Sequence, residues 1–598
     1  MSLFLGFDLS TQQLKVISIH SDLSHHKTYR VEFDTELSEY GIRKGVFSND
    51  ETGEINAPVE MWVEALEMCF DKMKKDDFPF SDVKAMSGSC QQHGSVYWSY
   101  EAPELLKSLS ADKPLAKQLA PNAFTFQMSP NWQDHSTGPE LKIFEESVGG
   151  GDELARITGS RAHYRFTGPQ IRKLASRIDP KKYHETYRIS LVSSFLSSLL
   201  CCKITNIEES DGCGMNIYDI QKSQYDDGLL AVTAGVHPKI DQCSESETKA
   251  GIQELKDKLG PLDPVGHKSI GTIGHYFVSK YGFSESCKVY SFTGDNLATI
   301  LALPLGANDT LISMGTSTTA LLVTSTYKTS ENYHIFKHPT LKDHYMGMLC
   351  YCNGALAREI VRDKLNEKYK EPKNSWDKFN SLLDKSVPLN GKFELGIYFP
   401  LGEIIPNAKP CERRFRFDVD KKELLEVEPW SIEEDVNSII ESQALSCRLR
   451  MGPLLASTSK QQLVDKYGVL SKLEKYGEIQ ADGKPQSQDA LLCRPKKVFY
   501  VGGSSKNPSI VAKYCDILGP TEDNYKIDIS DACALGGCFK SLWSFGSESG
   551  EIKDDYMKWL SASFDWNEGT EKLGPGNHWD EYADGVGIIS SAEKKLES

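Results

Sequence analysis

Two stretches of the chain share one pattern of apolar and polar positions. In the first, the apolar run Leu3-Phe4-Leu5 gives way to Gly6, Asp8 and the polar Ser10-Thr11-Gln12. A second apolar run, Leu14 to Ile19, follows at once. That order predicts a strand, a tight polar turn and a second strand. Leu311 to Val323, reading LISMGTSTTALLV, repeats the grammar about half a chain later, so two similarly built domains are expected. After the first hairpin, Tyr29 to Phe33 extends the meander. Pro58 then opens a helix with Trp62, Ala65, Leu66, Cys69, Phe70 and Met73 on one face. Val83 to Ser87 predicts the next strand and GSCQQHG a polar loop, a succession that fits a mixed sheet rather than a purely parallel one. Ile189 to Leu200 predicts a buried helix, and Val289 to Thr293 a strand running into TGDN. Further helices are expected from Gly354 to about Tyr369, from Ser431 to Met451 and from Pro508 to Leu518. The last of these follows the strand Val498 to Val501 and the turn Gly502-Gly503-Ser504. Residues 457–497, polar and lysine-rich, are expected as a surface insert, and the acidic, glycine-rich chain after Trp543 as a peripheral tail.

Length and charge narrow the class. A chain of 598 residues is too long for one core and predicts two or three domains. With 68 Lys and Arg against 84 Asp and Glu, the net charge of −16 argues against a nucleic-acid partner, though not against a small phosphorylated ligand. The 15 cysteines include no pair of CxxC units at zinc-like spacing. MSLFLGFDLS has no basic leader, Leu191 to Cys202 is too short and serine-rich to span a bilayer, and KLES carries no lipidation signal. The expectation is a reduced, soluble, cytoplasmic protein with free thiols and no membrane partner.

Four features carry candidate chemistry. The turns Asp8–Lys15 and Met314–Thr318 can each present backbone N–H groups and short hydroxyls to a phosphate, with Asp8 an oxygen ligand for magnesium. Gly502-Gly503-Ser504, between strand and helix, lets backbone approach a ligand closely. Asp295 lies between a strand and a helix, where a carboxylate alone reads as an N-cap. Together they match what a nucleotide needs. No G-x-x-x-x-G-K-[ST] loop is present, and no early G-x-G-x-x-G opens a helix. The irregular loops Phe124–Thr137 and Gly159–Gln170, with Trp132, Asp134, Arg161 and Arg165, are candidates for lining a pocket.

The residues DLSTQQLK, SGSCQQHGSVYW, NWQDHST, TGSRAHYRFTGPQI, TGDNLATI, LISMGTSTT, CYCNGALARE, ESQALSCR and VGGSSKN resemble the FGGY carbohydrate kinases, from Leu3 to about Trp543. Within that family they are most similar to the eukaryotic branch acting on D-xylulose. The resemblance implies an α/β, two-domain actin/hexokinase/Hsp70-like (ribonuclease H-like) fold with the active site in the interdomain cleft. It implies residues 1–303 as the sugar-binding and catalytic-base domain, 304–560 as the nucleotide-binding domain and 561–598 as the tail. It also implies ATP and Mg2+, and phosphorylation of D-xylulose at its 5-hydroxyl to a product that feeds pentose phosphate metabolism. Asp295 would be the general base, and His93, Arg161, Asn296 and Asp134 would contact the sugar. The arginine that many relatives carry just after the W-x-D loop is absent, since His135, Ser136 and Thr137 stand there, and Arg161 is expected in its place. Arg165 can pair with a surface acid such as Glu146 and is left out of the site. Thr11, Gln12 and Lys15 would face the phosphates from one side, and Gly315, Thr316 and Ser317 from the other. Gly502, Gly503 and Asn507 would hold the adenosine with Trp376 flanking the base, and Asp8 would hold magnesium through water. The rivals are another FGGY kinase acting on ribulose, gluconate or glycerol, and an Hsp70- or actin-like ATPase without sugar transfer.

Overall fold

The computed structural model describes residues 2–455, 463–529, 531–566 and 569–597. The chain forms two compact units. One is built from 1–304, 329–343 and 531–564, the other from 305–328, 344–530 and 565–598.

In the first unit, alternation decides which side of the sheet each residue faces. Leu3, Leu5, Phe7 and Leu9 enter one core, with helices Val59–Lys75 and Val192–Cys201. Phe4, on the opposite face, joins a second core with Ile17, Ile19 and the helix Ala532–Ser549. The strands lie in the order Ser269–Thr272, Lys288–Tyr290, Val83–Cys90, Leu3–Leu9, Gln13–His20, His25–Glu32. The last three form an antiparallel meander, and Val83–Cys90 runs parallel to Leu3–Leu9. Gly6 faces the helix so closely that a Cβ there would fall 1.9 Å from the Ala534 carbonyl oxygen. A third core, around Tyr97, Phe144, Ile171, Met215 and Leu255, carries the loops beyond the sheet.

The second unit repeats the topology. Its strands run in the order Tyr345–Tyr351, Thr318–Thr324, Thr310–Met314, Lys497–Val501, Asp523–Ile527, Thr570–Gly574. Again a meander comes first and the next strands are parallel to its first member. The helix Ile432–Leu455 is buried along most of its length.

The chain after Trp543 is part of both units, not a peripheral tail. Tyr556 and Leu560 are fully buried in the core that holds Phe4. Thr570–Gly574 closes an edge of the second sheet, and Ile588, Ile589 and Ala592 of the final helix are buried. Of the expected insert, 457–462 lie outside the described residues. The remainder forms the short helices Val469–Leu473 and Gln488–Leu492 and a small hairpin whose Asp482 pairs with the buried Arg450, as Glu593 of the final helix also does.

Candidate active site

The first unit gathers carboxylates at the ends of its parallel strands. Asp8 lies beside Ser89 in register, and Ser89 lies beside Thr293. Asp295 therefore emerges next to Asp8 from the short strand Thr293–Gly294. Gly294 is required there, because a Cβ would sit 2.3 Å from Gln92 Cγ. Asn296 clamps the carboxylate, donating to Asp295 Oδ1 from its backbone at 2.8 Å and from Nδ2 at 3.1 Å, and Nδ2 also reaches Gln92 Oε1. Burial pushes Asp295 up to about 6, against the Asn296 and backbone hydrogen bonds and the nearby Arg165 charge. Burial, then the Asp295 charge, pushes Asp8 up to about 7, with Lys15 and the Ser89 hydroxyl opposing. Asp211, bonded to Ser193 Oγ at 2.6 Å, is also driven up to about 7, first by burial and further by Glu208 and Asp295. Glu208 accepts from Thr293 Oγ1 at 3.0 Å, which ties the cluster to the strand before Asp295.

This donor set fits one hydrated magnesium ion. Asp8, Asp295 and Asp531 leave more negative charge than Lys15 neutralises. Among the described residues no group of three His, Cys, Asp or Glu side chains could cage a metal. One carboxylate, water and phosphate oxygens form the shell that magnesium accepts.

His93, at φ +71°, stacks on Phe166 with ring centroids 4.5 Å apart. Its Nδ1 lies 3.0 Å from the Gly214 carbonyl, so Nδ1 carries the proton and Nε2 keeps a lone pair. Burial first, and the Arg165 charge next, hold the ring neutral. Trp132, exposed, donates from Nε1 to Thr11 Oγ1 at 2.8 Å, linking the aromatic loop to the first turn.

In the second unit the turn Gly315-Thr316-Ser317 projects between its strands, with Thr316 and Ser317 exposed. Gly354 N donates to Thr316 O at 3.1 Å and Ala355 N to Gly315 O at 3.1 Å, so the helix Ala355–Tyr369 begins against the turn. A Cβ on Gly354 would approach the Ser317 carbonyl carbon to 2.6 Å. Gly502, at φ +92°, lies against the Met314 backbone, while a Cβ on Gly503 would meet nothing within 4 Å. Asn507 caps the helix Pro508–Leu518 and donates to Asn380 Oδ1 at 2.8 Å. Asn380 follows Trp376 on its helix, and Arg362 lies over the Trp376 ring at 4.7 Å.

The expected residues thus fall into two groups. Asp8, Asp295, Asn296, His93 and Lys15 gather in the first unit, with Thr11 at its edge and Gln12 exposed. Lys15, expected at the phosphates, is ion-paired with Asp531. Gly315, Thr316, Ser317, Gly502, Gly503, Asn507 and Trp376 gather in the second. Two sugar contacts fare differently. Asp134 is buried and tied to three segments, accepting from Ile55 N, Ser136 N and Oγ, and Gln170 Nε2. Arg161 pairs with Glu145 at 3.0 Å and faces Glu331 at 3.8 Å. The guanidinium whose charge reaches Asp295 and His93 is Arg165, and Glu146, its candidate partner, instead faces Lys142 at 3.5 Å. Glu208, Asp211 and Asp531 had no motif to single them out, whereas Gln92 stands beside His93 inside SGSCQQHGSVYW. Arg358 is fully buried and donates to Ser504 Oγ at 3.0 Å beside the Gly-Gly turn. A cation one helical turn into CYCNGALARE was the available signal for it.

Residues 310–544 match the FGGY family of carbohydrate kinases, C-terminal domain. The chain is 44% identical over 608 residues to the xylulose kinase of Saccharomyces cerevisiae, covering 100% of this chain and 96% of that protein. It is 41% identical over 573 residues to a probable D-xylulose kinase A of Neosartorya fischeri, covering 94% and 92%. The fold is similar to that of the crystal structure of xylulose kinase from Rhodospirillum rubrum, with a TM-score of 0.70 at 13% identity over 100% of this chain and 99% of that one. No helix among the described residues is long and apolar enough to cross a membrane.

Proposed function

The chain belongs to the FGGY family of carbohydrate kinases, and from that premise we propose that it transfers the γ-phosphoryl group of ATP to the 5-hydroxyl of D-xylulose. The products are D-xylulose 5-phosphate and ADP. The observation that carries the chemistry is the Asp295 carboxylate, clamped by Asn296 and raised to about 6, within reach of the Arg165 charge. Such a group is ionised near neutrality and basic enough to accept a proton from an alcohol as it attacks. The hydroxyl oxygen forms the new bond to the γ-phosphorus, the bond to the β–γ bridging oxygen breaks, and ADP leaves with that electron pair. Phosphoryl transfer asks the protein mainly for position and charge neutralisation.

His93 Nε2 accepts a sugar hydroxyl, Asn296 holds the reacting end, and Arg165, rather than Arg161, faces the sugar. Gly315, Thr316 and Ser317 present N–H groups and hydroxyls to the phosphates. Gly502, Gly503 and Asn507 frame the adenosine, with Trp376 beside the base. Asp8 would hold magnesium through water, and the ion would offset phosphate charge. Fifteen cysteines in the free state suit a reducing cytoplasm.

The test is ADP release over a panel of D-xylulose, ribulose, gluconate and glycerol, with Asp295→Asn alongside. D-xylulose should give the highest kcat/KM, and the variant should lose at least about a thousandfold while melting like the wild type. A higher kcat/KM for ribulose, or ATP turnover indifferent to sugar, overturns the assignment.

A further inference from the structure

A strap, residues 329–343, belongs to the first unit although the chain on either side of it belongs to the second. It is docked by its backbone. Ile335 N donates to Gly159 O at 2.8 Å, and the contact is so close that a Cβ on Gly159 would fall 2.1 Å from the Ile335 oxygen. Three strap side chains then reach the loops around the site. Glu331 faces Arg161, Lys337 pairs with Glu209, and His334 lies between Ser160 and Arg165.

His334 Nδ1 is 2.9 Å from Ser160 Oγ, and Nε2 is 3.3 Å from Arg165 Nη2. A guanidinium can only donate, so Nε2 must offer a lone pair and Nδ1 must carry the proton, given to the serine hydroxyl. The ring is held among aromatic neighbours, with centroids 4.7 Å from His163 and 5.6 Å from Phe166, the ring that also stacks on His93. Arg165 lies over Phe166 at 5.6 Å.

We propose that His334 is a positioning residue for sugar recognition: its neutral Nε2 fixes the Arg165 guanidinium at the angle from which it meets the substrate. This rests on the reading of the first unit as the sugar-binding one, with Arg165 at the sugar. Burial, with the Arg165 charge adding to it, keeps the imidazole far below its usual titration range, to about 3, so the acceptor role holds at every working pH. Arg161 is held instead by Glu145 at 3.0 Å, with Glu331 of the strap 3.8 Å away.

The experiment compares wild type, His334→Ala, His334→Gln, Arg165→Ala and the double variant His334→Ala/Arg165→Ala. Sugar and ATP kinetics are measured separately, together with melting temperature. Loss of a hydrogen bond to a charged group predicts a drop in kcat/KM for D-xylulose of roughly 10- to 100-fold in His334→Ala. KM for ATP should change less than about twofold. Gln places an amide oxygen close to the Nε2 position and should recover most of the loss. In the Arg165→Ala background the His334→Ala change should cost nothing further. A sugar kcat/KM within about twofold of wild type in His334→Ala overturns the proposal, as does a full extra loss on top of Arg165→Ala. A loss that lowers melting and both KM values alike, unrepaired by Gln, also overturns it, since it marks a packing residue. If wild type phosphorylates no sugar, or Arg165→Ala is silent, the underlying reading fails instead, and the two failures are distinguishable.

Discussion

As the proposed base, Asp295 would have to be deprotonated to act, yet its surroundings favour the proton. Burial raises it from the carboxylate range to about 6, and the Asn296 N–H groups and the Arg165 charge prevent a larger rise. The sign for catalysis follows directly. Above about 6 the base is ionised, and below it the carboxylate is protonated and cannot accept. The log of kcat/KM for the sugar should therefore fall with unit slope as pH drops through about 6, provided ATP and magnesium stay saturating. Removing Arg165 takes away a positive charge that favours the ionised form, so Arg165→Ala should move that limb upward in pH. A limb that stays near 4, or one that moves downward in the variant, would contradict Asp295 as the titrating base. The place of Asp295, between a strand and a helix, was legible because a strand, TGDN and a helix follow one another within a few residues. Arg165 was not. Arg161 and Arg165 share one irregular loop, and their partners differ: Arg161 pairs with Glu145 nearby in sequence, while Arg165 meets His334, 169 positions along the chain.

The hairpins and the parallel strands beside them came through from local pattern, because apolar alternation and a glycine-hydroxyl turn are short-range signals. What local pattern could not supply is how tightly the elements approach. The helix Ala532–Ser549 carries consecutive glycines that meet different partners. A Cβ on Gly537 would lie 2.8 Å from Gly88 Cα, and one on Gly536 would lie 2.1 Å from the Ala298 carbonyl oxygen, in the short helix that begins with Asp295. Gly536→Ala must therefore push the base-bearing helix. Overpacking of this kind costs about 1–3 kcal/mol, and kcat should fall with the urea midpoint. Gly503→Val separates the two effects. Its Cβ would enter open space at a φ outside the left-handed region, so the urea midpoint should stay within error while KM for ATP rises at least about tenfold. Wild-type kcat in Gly536→Ala, or an unchanged ATP KM in Gly503→Val, would remove these glycines from the site's architecture.

At the scale of the molecule, neither unit is one continuous piece of chain, and an apparent boundary near 304 is not a place where the first unit is complete. The segment 531–564 returns to it and buries Phe539, Leu542, Trp543, Tyr556 and Leu560 against Phe4, Ile17, Ile19 and Tyr290. Tyr556 OH donates to the Leu301 carbonyl at 2.5 Å, Lys540 Nζ to the Ser291 carbonyl at 2.9 Å, and Asp531 pairs with Lys15. Sequence order hides this, because the helix begins inside the stretch that matches a C-terminal domain, 310–544. Burying these large side chains contributes roughly 10 kcal/mol, as much as the whole net stability of an ordinary domain. A fragment of residues 1–304 should therefore lack a cooperative thermal transition, bind a dye for exposed apolar surface and show no D-xylulose binding by calorimetry. Co-expression with residues 531–564 should restore a transition and protect amides of Leu3–Leu9 and Val83–Cys90 from hydrogen exchange. The full chain with Tyr556→Ala should melt lower without losing its two-unit organisation. Cooperative melting and sugar binding by the 1–304 fragment alone would show that the returning helix merely covers a core the fragment can already close. The loss of both, with recovery on adding the segment, would show that the strand bearing Asp8 and the helix bearing Asp295 need it to hold their places.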